Sequence, residues 1–327
     1  MFEFLCHTIA MEKSEITFVV QGPIIIKDGE NLAKVCLESV RKFFPGSKIV
    51  LSTHYGEQTS GLDFDECVIN SKHLDEMIIE NDKDGHIATY NLQLASSFEG
   101  LKRVRTSYSI KLRSDMVLLN DNLYWLLKNR PDSSKNRFTL TDELVIVLNW
   151  ASVNPTKFLK LLHHPSDQIF AGKTSDLYKI WDCPKYPLEY VRWFYDHDYP
   201  LGAQHGGSLV RYRFETWLWY NFINVKTKYP FNNSYDFSKD LLDESQGFMG
   251  NNLMIVNLRI AGVRSLKNLS PRLSSKVKMF TYNDWVKLSR KYGVKSQYKF
   301  FDVETIVVTL ARFILKITRN KKYVFPD

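Results

Sequence analysis

Three short stretches of this chain hold residue types suited to phosphate-linked chemistry: Gln21-Gly22-Pro23, Ser52-Thr53 and Arg113-Ser114-Asp115. A glycine lets backbone approach a ligand closely, and hydroxyls with backbone amides suit a base and ribose. A carboxylate at a strand end offers oxygen to a hard cation bridging phosphates, so Asp115 is the candidate metal ligand, for magnesium or manganese. Arg113 can contact phosphates itself or hold Asp115 in place. Asp115 also has a plainer alternative, capping its strand or pairing with Arg113. Asn91 and Gln93 add amides on a neighbouring helical segment. The chain lacks Gly-x-Gly-x-x-Gly after its first strand, which disfavours a dinucleotide enzyme. It also lacks Gly-x-x-x-x-Gly-Lys-Ser/Thr and Gly-x-Ser-x-Gly. An enzyme that takes a group from a nucleotide-linked donor remains.

These residues need elements that bring them together. Ile16-Thr17-Phe18-Val19-Val20 reads as a β-branched strand broken by Gln21-Gly22-Pro23. Residues 31–44 carry apolar side chains at helical spacing, and Pro45-Gly46 stops them. Residues 48–53 form a second strand, so a parallel βαβ pair is expected. A shorter strand follows at Cys67-Val68-Ile69-Asn70, then a charged, exposed loop over 72–85. The spacing predicts a helix over 87–103 and a strand from Tyr108 that ends in the polar step at Asp115. Further on, helices are expected at 123–127, at 174–181 with Thr174 as cap, at 213–223, and at 281–292 with a cap near Asn283. Strands are expected at 144–148, 169–171 and 252–256. Residues 130–137 form the internal boundary, and 183–207 read as irregular. This alternation predicts an α/β fold with a mostly parallel central sheet flanked by helices, its strand ends opening on one crevice.

Residues 303–325 combine an apolar helical stripe with Arg312, Lys316, Arg319, Lys321 and Lys322. Such a segment suits either an in-plane membrane helix or a terminal helix packed on the domain. The chain has 327 residues, 44% of them hydrophobic, and a net charge of +8. That basic balance suits nucleotide phosphates or an anionic membrane surface; no nucleic-acid motif accompanies it. Cys6, Cys36, Cys67 and Cys183 are widely spaced, with no C-x-x-C pair, so no zinc knuckle is indicated and a reducing cytoplasm is expected. His163, His164, Asp196, His197, Asp198 and His205 match no standard metal cluster. No secretory signal or spanning segment is expected.

Val20-Gln21-Gly22-Pro23-Ile24, Phe44-Pro45-Gly46, Ile49-Val50-Leu51-Ser52-Thr53 and Lys111-Leu112-Arg113-Ser114-Asp115-Met116 together resemble the WavE family of bacterial lipopolysaccharide-synthesis proteins. His164-Pro165-Ser166-Asp167, Phe170-Ala171-Gly172 and the aromatic helix bearing Glu215 are also similar to it. The resemblance spans residues 16–256. It implies a GT-A-like, Rossmann-like fold with a C-terminal helical extension, and a glycosyltransferase using a nucleotide-sugar donor. The acceptor would be a glycan or lipid-linked chain of lipopolysaccharide or capsular polysaccharide. On this reading 1–15 form an N-terminal extension, 16–130 the nucleotide-sugar-binding half, 131–300 the acceptor-binding half of the same domain, and 301–327 a basic amphipathic C-terminal helix; the protein would be cytoplasmic, with peripheral contact on the inner membrane face as one of the two readings of that helix. Metal-dependent GT-A enzymes carry Asp-x-Asp where this chain has Arg113-Ser114-Asp115, which puts the divalent cation in doubt. Gln21, Gly22, Pro23, Ser52, Thr53, Asn91, Arg113, Ser114 and Asp115 are the donor-site candidates. Glu215 and Asp167 are the candidate bases for an acceptor hydroxyl. A non-catalytic polysaccharide- or membrane-surface-binding protein is the alternative.

Overall fold

Runs of β-branched and aromatic residues form one seven-stranded sheet in the computed structural model, which describes residues 11–70, 79–81, 86–201, 203, 208–267, 272–295 and 302–318, without the side chains of 79–81 and 86–88. Its strands are β1 (Ile16–Gln21), β2 (Lys48–His54), β3 (Glu66–Asn70), β4 (Tyr108–Arg113), β5 (Val145–Leu148), β6 (Ile169–Lys173) and β7 (Leu253–Val256). The spatial order is β7-β5-β6-β4-β1-β2-β3. All neighbours pair in parallel except β6, which runs antiparallel to both β4 and β5. Helices of seven residues or more are α1 (Leu32–Phe43), α2 (Tyr90–Leu101), α3 (Asn122–Lys128), α4 (Thr174–Trp181), α5 (Phe214–Ile223), α6 (Lys239–Asn252), α7 (Tyr282–Lys291) and α8 (Val303–Thr318). This is the expected α/β class, a mostly parallel sheet covered by helices with helices at its C-terminal end.

Every residue of β1 and β5 is buried, as unbroken apolar runs require when helices cover both faces. α1 connects β1 to β2 as the βαβ unit predicts, and its N-cap Asn31 accepts a hydrogen bond from the Lys34 backbone. Three tryptophans, Trp181, Trp219 and Trp285, are fully buried beneath the helices.

Several boundaries differ from expectation. α2 begins at Tyr90, because 86–88 pair as a strand with 79–81; residues 72–78 and 82–85, the rest of the expected loop, lie outside the described residues. β2 runs on to His54, and β6 to Lys173. Thr174 does not cap α4: its hydroxyl donates to the Thr106 carbonyl instead. The cap of α7 is Thr281, in a capping box with Asp284, rather than Asn283. Within 183–207 the described chain includes a short helix at Trp193–Asp196. α8 ends at Thr318, and the remainder of the expected helix lies outside the described residues. No described helix is long and apolar enough to cross a membrane. Cys36, Cys67 and Cys183 are free thiols, and of these only Cys36 is buried.

Candidate functional site

The carboxyl ends of β1, β2 and β4 open on a cleft of about 300 Å³. Gln21, Gly22, Pro23, His54, Tyr55, Thr89, Gln93, Arg113, Ser114, Asp115 and Lys267 contribute to its wall. Adjacent parallel strands whose chains leave at the same edge create such a crevice. Ser114 stitches two of those exits together: its N–H donates to the Gln21 carbonyl at 2.8 Å and its hydroxyl to the Pro23 carbonyl at 2.8 Å. Glu57 holds the outer lip, accepting the Ile24 N–H at 3.0 Å.

Gly22 makes the first exit possible. Its φ of +125° is one that side-chain-bearing residues rarely adopt, and a Cβ there would lie 3.0 Å from the Ser114 hydroxyl. Gly22→Ala is therefore expected to lower stability by about 1–3 kcal/mol, read as a shifted denaturant midpoint.

The polar step is arranged differently from a carboxylate tip. Asp115 turns inward, its side chain only 4% exposed, whereas Arg113 keeps 32% of its side-chain surface accessible. Both Asp115 oxygens accept from Arg113, from Nε at 3.0 Å and from Nη2 at 2.7 Å. The plainer alternative, pairing with Arg113, is thus what the structure contains, and it happens in the cleft wall. Burial opposes the Arg113 charge, but the hydrogen bonds and charge of Asp115 outweigh it and raise the guanidinium pKa. The cation is fixed in position and stays charged.

A divalent cation fits this donor set poorly. Asp115 has given both oxygens to Arg113, and among the described residues no three His, Cys, Asp or Glu side chains converge on one point. The cations on the wall are Arg113 and Lys267, with the carboxylate of Glu57 at the outer lip.

Two polar atoms of the wall lack protein partners. Gln21 is 4% exposed and His54 6% exposed, and neither Gln21 Oε1 nor His54 Nδ1 has a hydrogen-bond partner among the described residues. Burial lowers the His54 pKa and so favours its neutral ring. An unpaired buried polar atom costs about 1–3 kcal/mol, which a ligand hydrogen bond would recover.

Behind the cleft lies a second layer of charge. Gln93, itself on the wall, donates its amide to Asp167 Oδ2. Lys111 is fully buried in β4, donates to the Asp167 backbone carbonyl at 2.5 Å and lies 4.5 Å from the Trp181 ring centre. Burial pushes the Lys111 pKa down to about 7. Glu215, in the first turn of α5, has its pKa pushed up to about 8, chiefly by burial and then by the charge of Asp167. Arg213 and Arg113 pull the other way without prevailing. Its Oε2 lies 3.5 Å from His164 Nε2. His164 Nδ1 is 3.0 Å from the Ala151 carbonyl, which can only accept, so we assign the proton to Nδ1 and leave Nε2 as an acceptor. Burial holds the His164 pKa down at about 4. A protonated Glu215 facing a neutral acceptor nitrogen is a consistent arrangement.

The sequence-predicted residues therefore fall into three groups. Gln21, Gly22, Pro23, Arg113, Ser114 and Asp115 share the cleft wall. Asp167 and Glu215 are not on the wall, though Asp167 is joined to it through the amide of Gln93. Ser52, Thr53 and Asn91 are buried off the wall. Ser52 Oγ accepts from Asn70, and Ser52 packs beneath Gly100 of α2. The Asn91 amide pairs with the backbone of Tyr186, accepting its N–H and donating to its carbonyl. Residues missed in the sequence include His54, Lys111 and Lys267. Lys111 had a legible signal: a lone cation two residues before Arg113, and so on the same strand face, inside an otherwise apolar run.

Residues 16–318 match the WavE lipopolysaccharide synthesis family. No curated protein sequence matches the chain. Among solved structures it is similar to a nucleotidyl transferase from Methanothermobacter, at 10% identity and a TM-score of 0.36 over 85% of this chain and 97% of that one. It is also similar to 4-diphosphocytidyl-2C-methyl-D-erythritol synthase from Anaerococcus prevotii, at 13% identity and a TM-score of 0.32 over 57% of this chain and 84% of that one. A third likeness is to the inositol-1-phosphate CTP transferase from T. maritima, at 14% identity and a TM-score of 0.28 over 51% of this chain and 71% of that one. With the family match extending from the first residue of β1 to the last of α8, the chain belongs to the WavE lipopolysaccharide synthesis family.

Proposed function

We propose that this protein is a glycosyltransferase that moves a sugar from a nucleoside-diphosphate sugar to a hydroxyl of a growing bacterial surface glycan. The observation that supports it most is the cleft wall itself: an accessible, charged Arg113 beside the unpartnered buried atoms Gln21 Oε1 and His54 Nδ1. A diphosphate meets the guanidinium, and polar groups of a nucleoside or sugar meet Gln21 Oε1, an acceptor, and His54 Nδ1, a donor or acceptor according to tautomer. Membership of a lipopolysaccharide-synthesis family supports a surface glycan as the acceptor.

In the transfer, the bond between the anomeric carbon and the phosphate oxygen breaks, and its electron pair leaves with the diphosphate. The acceptor oxygen bonds to that carbon and its proton passes to a carboxylate. We assign that proton to Glu215, with Asp167 setting its basicity. A carboxylate whose pKa is pushed up to about 8 is matched to work near neutral pH. Arg113 and Lys267 balance the charge that develops on the leaving diphosphate.

Thermal shift with nucleoside diphosphates tests the binding half of this reading. A ligand at about 100 times its Kd stabilises the fold by about 2.7 kcal/mol. Because Arg113 carries the diphosphate, the shift is expected to survive EDTA with less than about half of it lost. A shift that vanishes with the chelator would assign the diphosphate to a metal instead. No shift with any nucleoside diphosphate would remove the donor site altogether.

A further inference from the structure

α8 presents its apolar side outward. Ile306, Leu310, Phe313, Ile314 and Ile317 are between 44% and 62% exposed, whereas its buried residues are Thr305, Val308 and Arg312. A helix that merely closes a core does the reverse. Here the polar side is held to the domain by specific bonds. Arg312 donates to Asp284 Oδ2 at 2.7 Å, to the Val277 carbonyl at 3.0 Å and to the Met279 carbonyl. Asn257, just after β7, donates its amide to Asp302 Oδ2 and to Thr305 Oγ1 at 3.4 Å, and Thr305 in turn donates to Asp302. The outward orientation is thus locked by buried polar contacts.

Cations flank the apolar ridge. On one side a cavity of about 460 Å³ has Arg259, Arg264 and Lys276 on its wall, with Glu304 paired to Lys276 at 3.0 Å. On the other a cavity of about 480 Å³ has Lys157, Lys287 and Lys316, with its Asp284 held by Arg312. The acids are neutralised within the protein, leaving both flanks net positive. Arg319, Lys321 and Lys322 follow in the sequence.

We propose that α8 lies in the plane of an anionic phospholipid bilayer, its apolar ridge among the acyl chains and its two basic flanks on the headgroups. Charge complementarity selects this occupant. A second copy stacked ridge to ridge would bring positive flanks against positive flanks, whereas an anionic bilayer satisfies both at once. The placement goes beyond the transferase reading and does not depend on it, but it has a bearing on the acceptor. The strand Val263–Ser265 contributes to the first cavity, and Lys267, two residues on, stands in the cleft wall. A lipid-linked acceptor held in the bilayer would therefore approach the cleft along this segment.

Flotation of the full chain with phosphatidylcholine vesicles, with and without phosphatidylglycerol, tests the proposal. The protein is expected to float only with the anionic vesicles, and less so as salt rises. Leu310→Glu with Phe313→Glu should abolish flotation. Lys287→Glu with Lys316→Glu should weaken it on the order of 20-fold or more. All four positions are exposed, so the thermal midpoint and the nucleotide-induced shift should stay at wild-type values. The proposal is overturned if wild type ignores anionic vesicles or if the Glu variants float like wild type. It is equally overturned if light scattering shows a dimer that Leu310→Glu with Phe313→Glu converts to monomer. Failure of the transferase reading would instead appear as an absent nucleotide shift with flotation intact.

Discussion

Replacing Arg113 by lysine is expected to lower kcat/KM for sugar transfer by roughly 10²–10³-fold, the range found when one preorganised donor to a developing anion is removed. The geometry explains why a retained charge is not enough. Arg113 uses Nε and Nη2 to grip Asp115, and the rest of its planar fork remains to face the cleft. A lysine ammonium reaching back to Asp115 has no second, fixed set of donors for the diphosphate. The nucleotide-induced thermal shift should fall with the activity. Arg113→Ala is a harsher variant: it leaves the buried Asp115 unpaired and should cost about 3–5 kcal/mol of stability. The lysine variant separates the two effects. Wild-type transfer and wild-type nucleotide shifts in Arg113→Lys would show that the guanidinium serves the fold only.

Glu215→Gln is expected to reduce kcat by roughly 10²–10⁴-fold, the usual contribution of a positioned base. Its signature is in the pH profile. Wild-type activity should climb tenfold per pH unit and level off near pH 8, where Glu215 loses its proton; the residual activity of the glutamine variant should not show that rise. Stability gives an independent readout of opposite sense. The folded pKa lies above the ordinary 4.5, so between about 4.5 and 8 the folded state retains a proton that the unfolded state has released. The contribution of Glu215 is complete below the lower value and fades as pH rises through the upper one. Wild type should therefore lose thermal stability relative to Glu215→Gln as pH rises from 6 to 9. An unchanged pH–rate slope in the variant would remove Glu215 from the proton transfer.

Local pattern made the elements readable, and long-range contacts decided the site. The helix at Thr174–Trp181 was legible because Leu177, Tyr178 and Trp181 on one face are a local signal, although Thr174 is its first residue and not its cap. That the stretches at 21–23 and 113–115 meet at one cleft was legible because β-branched runs ending in polar steps mark the edge of a parallel sheet. Asn91 was misplaced because its partner, Tyr186, lies 95 residues away, and an amide that pairs with backbone looks in sequence like one that binds a ligand. Ser52 and Thr53 were misplaced because β2 continues to His54, so the side chains that reach the opening come later. Which member of the 113–115 pair faces outward depends on how the two side chains pack, and residue types alone leave both orientations open.

The reversed strand β6 governs how the sheet can be assembled. It joins β4, through pairs such as Ile169 with Leu112, to β5, through pairs such as Val147 with Phe170. Until it docks, β4 has an open edge and β5 has nothing to attach it to the four parallel strands. The outermost strand β7 comes later still, pairing Val145 with Leu253 across more than a hundred residues. Pairings this distant along the chain are slow to form. A polypeptide that has emerged from the ribosome only as far as β5 is thus a half-sheet with a sticky flank, and arrival of residues 169–173 is the event that seals it.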